Sequence, residues 1–133
     1  MRNALILACC APGLLAATAC GGLSSEAKQI AGDYFNTELS QTEPVMELGK
    51  DGRCVIRAIR PGVLTYSVDG TWNVENDSLV IMLDPSTLQS RGDSTLIGDI
   101  PERYAVRIID HTDFNLTLEQ GGASYLYTRH NSK

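Results

Sequence analysis

From residue 30 onward, apolar and polar residues alternate with a period of two, in short runs separated by turn-forming residues. The runs cover residues 30–37, 45–49, 53–60, 63–68, 70–75, 79–84, 103–110, 114–119 and 124–129, and only 24–31 reads as weakly helical. The breaks carry their own chemistry. Lys50-Asp51-Gly52, Pro61-Gly62, Asp69-Gly70, Glu75-Asn76-Asp77, Asp84-Pro85, His111-Thr112-Asp113 and Gln120-Gly121-Gly122 supply residues that tolerate positive φ or preset a turn. Connections mostly this short leave no room for parallel crossovers, so the pattern predicts an antiparallel meander of eight or nine short strands.

The same alternation sorts side chains onto two faces. One collects Met46, Leu48, Cys54, Ile56, Ala58, Leu64, Tyr66, Val68, Trp72, Val74, Leu79, Ile81, Leu83, Tyr104, Val106, Ile108, Phe114, Leu116, Leu118, Tyr125 and Tyr127. The other carries Arg53, Arg57, Arg103, Arg107, Glu47, Glu75 and Glu119 among Ser, Thr and Asn. So long an apolar face must be covered. With no long amphipathic helix in the sequence, the sheet covers it by folding onto itself, which also removes its open edges. The expected fold is all-β, a small closed barrel. An eight-strand barrel is just wide enough to be filled by its own side chains or to hold one small ligand. Tyr66, Trp72, Tyr104, Tyr125 and Tyr127 are the candidate interior contacts for such a ligand, with Ala58 and Cys54 as the small residues that leave space.

Several of these segments resemble the lipocalin-like small barrels of bacterial envelope proteins. They are Ile30-Ala31-Gly32-Asp33-Tyr34, Met46-Glu47-Leu48-Gly49-Lys50-Asp51-Gly52, Gly70-Thr71-Trp72-Asn73-Val74-Glu75 before Leu79-Val80-Ile81, and Leu116-Thr117-Leu118 before Tyr125-Leu126-Tyr127. The resemblance implies a lipocalin-like barrel over residues 30–133.

The start of the chain has a different character. Met1 and Arg2 lead into an apolar stretch of about 16 residues, short of the roughly 20 needed to span a bilayer and broken by Pro12-Gly13. Residues 1–19 therefore read as a secretion signal. Its end, Ala17-Thr18-Ala19-Cys20, resembles the lipobox of bacterial lipoprotein precursors. That resemblance implies cleavage before Cys20, diacylglycerol on its thiol with further acylation such as palmitate, and membrane anchoring through this residue. The small residues that follow, from Gly21 and Gly22 to Ser24 and Ser25, lead the expectation that 20–29 is a lipidated cysteine and flexible tether. Gly21 rather than aspartate after the cysteine resembles outer-membrane sorting. The implied location is the periplasmic side of the outer membrane in a two-membrane cell, or the outer face of the cytoplasmic membrane in a one-membrane cell.

Charge and cysteine content narrow the function. The chain has 11 Lys and Arg against 16 Asp and Glu, the reverse of the basic stripe that nucleic-acid binding needs. Of its 4 cysteines, Cys9 and Cys10 leave with the leader and Cys20 is taken by the anchor. Cys54, within an alternating run, reads as a small buried hydrophobe. No cofactor motif is present. His111 between Asp110 and Asp113 offers too few convergent ligands for a metal site, and no strained nucleophile turn is paired with a base. Metal-binding or hydrolytic chemistry is thus the minor alternative.

Residues 85–102 form the one long connection, and long loops on a rigid scaffold often carry binding surfaces. Leu88, Arg91, Asp93, Leu96 and Ile97 are its candidate binding residues. Arg53 and Arg57, with Arg103 and Arg107, make a positive patch if their strands are neighbours, or else pair with Glu47, Glu75 and Glu119. The leading expectation is a membrane-anchored, non-catalytic envelope lipoprotein that binds an unidentified envelope partner through its barrel surface or the 85–102 loop. The alternative is a carrier of a small hydrophobic ligand, lipid or aromatic, inside the barrel.

Overall fold

The computed structural model describes residues 22–130; the leader and Cys20 lie outside the described residues. The alternating runs form strands β1 (Gly32–Phe35), β2 (Met46–Leu48), β3 (Arg53–Arg60), β4 (Leu64–Glu75), β5 (Ser78–Gly92), β6 (Arg103–His111), β7 (Asn115–Gln120) and β8 (Ala123–His130). Each pairs antiparallel with the next. Tyr34 opposite Arg129 and Phe35 opposite Thr128 join β8 back to β1, closing the barrel. Closure converts the period-two pattern into an inside and an outside, as the apolar face requires.

The barrel has two unlike ends. One holds the turns at 49–52, 76–77 and 112–114 and a short helix, α1 (Ser25–Ile30). Ser24 caps α1 by accepting from the Ala27 amide, and its own amide and hydroxyl reach Asn73 Oδ1 at 2.9 Å and the Val74 carbonyl at 3.1 Å. A helix this short is held by packing rather than by propensity. Leu23, Ala27 and Ile30 enter the core, so the chain departs from the expected flexible tether at Leu23 and from a first strand beginning at Ile30.

The core fills this closed half. Ile30, Tyr34, Leu48, Leu79, Ile81 and Leu116 are fully buried, with Trp72 beside them. The polar handles of Tyr34 and Trp72 are satisfied, as low dielectric demands, whereas Arg129 Nε is buried beside Gly32 with no hydrogen-bond partner among the described residues. Tyr34 donates its hydroxyl to the Ile30 carbonyl at 2.7 Å, and Trp72 donates Nε1 to the Gly49 carbonyl at 2.9 Å.

Two turns expected from the sequence are absent. Asp69-Gly70 does not separate strands: β4 runs through it, merging the 63–68 and 70–75 runs and giving eight strands among the described residues, not nine. Gly70 is there because β5 crosses close above it, and a Cβ would lie 1.9 Å from the Met82 carbonyl oxygen. Asp84-Pro85 does not end β5 either. Register changes between Ser67 opposite Gln89 and Asp69 opposite Asp84, so that Val68 alone faces residues 85–88 in a wide bulge. Within it, the Asp84 carboxylate accepts from the Ser86 amide, while Thr87 Oγ1 accepts from the Asp69 amide. Pro85 is tolerated because the bulge asks no ladder bond of it. Beyond the bulge, Gln89 to Gly92 pairs with Leu64 to Ser67, so β3, β4 and β5 extend past the barrel rim as a flap.

Candidate functional site

The end opposite α1 is open. Its rim is built by the segments 36–45, 61–63, 93–102 and 121–122, and the inward residues beneath it include small and aromatic side chains that do not fill the space. A cavity of about 310 Å³ results, walled by Leu39, Val45, Met46, Ile56, Ala58 and Ile59 and reaching down to Leu79 and Ile81. Tyr104, Tyr125 and Tyr127 add aromatic faces and hydroxyls, and Asn36 and Gln120 add amides. A second lobe of about 300 Å³ lies under residues 99–101 and is lined by Tyr66, Val68, Leu83, Ile100 and Pro101, with Asp99 at its edge. Ile56, Ala58, Tyr104 and Gln120 line both lobes.

The Tyr104 and Tyr127 hydroxyls are neutral throughout the physiological range. Burial pushes Tyr104 up to about 12, with Cys54 and Tyr127 adding to the effect, and burial also raises Tyr127, with Tyr125 adding. They therefore act as hydrogen-bond donors and acceptors, not as anions.

Salt bridges brace the rim. Arg57 Nη1 donates to the Pro44 carbonyl at 2.6 Å and to Glu47 Oε2 at 3.0 Å, fixing the 36–45 segment against β3. Arg91 on the flap meets Glu43 on that segment at 2.6 Å, and the guanidinium holds the Glu43 carboxyl below its usual range. The 36–45 segment is thus tied both to β3 and to the flap.

Alternation placed Tyr66, Tyr104, Tyr125 and Tyr127 on the inner face, and all four line one lobe or the other. Trp72 does not; it packs in the closed half, because its strand position lies past Gly70 toward α1. Phe114, assigned inward with it, sits beyond the barrel edge and is 67% exposed. Of the loop candidates, Leu88 lies in the β5 bulge and Arg91 in the flap, so the connection proper is only 93–102. Asp93 caps a single 3-10 turn, Ser94–Leu96, by accepting from the Thr95 amide. Leu96 projects outward, Ile97 is half-buried, and the residues that reach the lobe are Ile100 and Pro101.

The arginine patch does not form, since β3 neighbours β2 and β4 whereas β6 neighbours β5 and β7. Arg57 instead pairs with Glu47, and Arg107 with Glu119 at 3.3 Å. His111 lies 3.6 Å from Glu26 of α1. Leu39, Asn36 and Gln120 escaped the sequence reading because they belong to turns or strand ends, where no period applies. Leu39 had one signal, a single large apolar residue in the polar stretch between Asn36 and Glu43.

No family model matches the chain, and no curated protein does. Among solved structures it is similar to a lipocalin-like protein from Bacteroides uniformis, at 16% identity over 75% of this chain and 93% of that one, with a TM-score of 0.48. It is also similar to an uncharacterized protein from Bacteroides eggerthii, at 11% identity over 65% of this chain and 83% of that one, with a TM-score of 0.43. The fold rests on the chain's own ladder: an all-β, closed, eight-stranded antiparallel barrel among the described residues.

Proposed function

We propose that this chain is a non-catalytic binding protein that holds a small hydrophobic molecule, aromatic or lipid-like, in the open mouth of its barrel. The observation that carries this reading is the apolar cavity of about 310 Å³ under the rim. It stands at the small end of the roughly 300–1,000 Å³ range of ligand sites, which are mostly apolar with a few placed polar groups. Aliphatic walls reward buried apolar surface at roughly 25 cal/mol per Å². The tyrosine hydroxyls and the two amides orient whatever polar group the ligand carries. Arg57, the cationic residue in the cavity wall, is already engaged by Glu47 and Pro44, so the site favours an uncharged guest.

A second reading has its own observation. Val63, Leu88 and Leu96 are 42%, 37% and 44% exposed on the flap and the loop that follows it, apolar surface of the kind that meets a protein partner. On either reading the protein is held on an envelope membrane by an acylated Cys20, as the lipobox resemblance implies. Palmitate labelling lost on Cys20→Ala is the expected outcome, and an unlabelled wild type released as soluble protein overturns the anchor.

Native mass spectrometry of protein from its own host, with titration of the neutral probe N-phenyl-1-naphthylamine, tests the cavity. A co-purifying hydrophobic molecule and probe fluorescence, both lost in Ala58→Phe, are expected. An empty wild type that leaves the probe dark removes the carrier and leaves the partner surface.

A further inference from the structure

The described chain begins at Gly22, and the next residue, Leu23, is buried in the closed end, 7% exposed and within van der Waals reach of the Gly52 turn. Ser24 is then pinned to Asn73 and Val74. Everything upstream therefore joins the barrel at the end opposite the cavity. Three residues separate the Cys20 and Leu23 Cα atoms by at most about 11 Å, even fully extended. The eight residues of β3 run about 23 Å, or roughly 18 Å along the axis of a barrel with its usual tilt. A lipid on Cys20 cannot draw the mouth down to the bilayer by so short a leash.

The closed end also carries an apolar feature that the core does not use. Phe114, in the 112–114 turn, is 67% exposed beside Arg129 and α1: the Arg129 amide donates to the Phe114 carbonyl, and the Arg129 side chain reaches the Gln29 carbonyl. Ile109, at the bulge of the adjoining strand, is 45% exposed. A phenyl ring at the tip of a turn suits the water–hydrocarbon boundary. Asp51, Asp77 and Asp113 share this end with Lys28 and Lys50, a mixed-charge surface that a zwitterionic bilayer suits.

We infer that the closed end, with Phe114, is the surface that rests on the membrane, and that the cavity mouth opens away from it. This rests on the proposed anchoring at Cys20. Its consequence is that a ligand enters from the aqueous side, handed over by a soluble or facing partner, rather than climbing out of the anchoring bilayer.

The test uses acylated protein in phosphatidylcholine vesicles, with one fluorophore placed through Asp113→Cys at the closed end or Ala123→Cys at the mouth. Buried Cys54 stays in place, shielded from the label. Nitroxide groups on the lipid headgroups should quench the label at 113 several-fold more than the label at 123, and Phe114→Ser should reduce quenching at 113 while the protein still floats with the vesicles. Equal or reversed quenching in protein that floats overturns the orientation alone. Protein that does not float overturns the anchor and the orientation with it. Unchanged quenching in Phe114→Ser removes the ring from the contact surface.

Discussion

Ala58 lines both lobes of the mouth, and its single methyl leaves the room that a larger side chain would take. Ala58→Phe should abolish probe binding while leaving the barrel folded, because the new ring enters open space rather than a packed core, where overpacking costs about 1–3 kcal/mol. Isothermal probe titration and circular dichroism check the two halves separately. Cys54 supports a prediction in pH. Burial, with the nearby Asp69, pushes its thiol from 9.0 up to about 11, so the native state keeps the proton that the unfolded chain releases. Its contribution to stability is complete below pH 9 and is lost as pH rises toward 11. Urea titrations across that window should show falling stability, with a shallower slope in Cys54→Ala. An equal slope in the variant would place the pH dependence elsewhere. That Cys54 is buried was legible from its place in an alternating run; that Asp69 stands close enough to affect it was not, because the two meet only across the β3–β4 ladder.

At the level of elements, β4 and the turn it crosses decide how the closed half packs. Trp72 is 4% exposed with its indole nitrogen satisfied, so Trp72→Ala should cost roughly 3–5 kcal/mol and threaten the fold, while Thr71→Ala on the outer face should be nearly neutral. Denaturant midpoints for the pair give the comparison, and native Trp72 emission should be that of a buried indole. Gly70→Ala is expected to destabilise by about 1–3 kcal/mol or more, since its Cβ would collide with the backbone of β5, which cannot swing away as a side chain could. A neutral Gly70→Ala would mean that the two strands do not approach as described. Strand existence was readable from period two along nearly the whole chain. The continuation of β4 through Asp69-Gly70 and of β5 through Asp84-Pro85 was not, because both dipeptides carry ordinary turn chemistry and only the facing strand makes one a close crossing and the other a bulge.

For the whole molecule, the segments at the open end border the cavity. Replacing residues 99–101 with a Gly-Ser linker of equal length should leave the thermal midpoint close to that of the wild type and speed probe release, because Ile100 and Pro101 cover the second lobe. Stopped-flow displacement reads the rate; unchanged release would show that the segment does not cover the site. The period of the apolar residues, the lack of a long amphipathic helix and the brevity of most turns determined by themselves that this chain is an antiparallel sheet closed on itself, since an apolar face of that length has no other cover. The same pattern placed Ile56, Ala58, Tyr66, Tyr104, Tyr125 and Tyr127 inside. Tertiary structure decided which half of that interior is filled. Alternation assigns a side chain to the inner face without saying how far along the axis it lies, so Trp72 and Tyr104 looked alike although one plugs the closed half and the other lines a cavity. The helix that closes one end, the loop residues that wall the other, and the end from which the chain's beginning departs depend on contacts between residues far apart in sequence, and no local period records them.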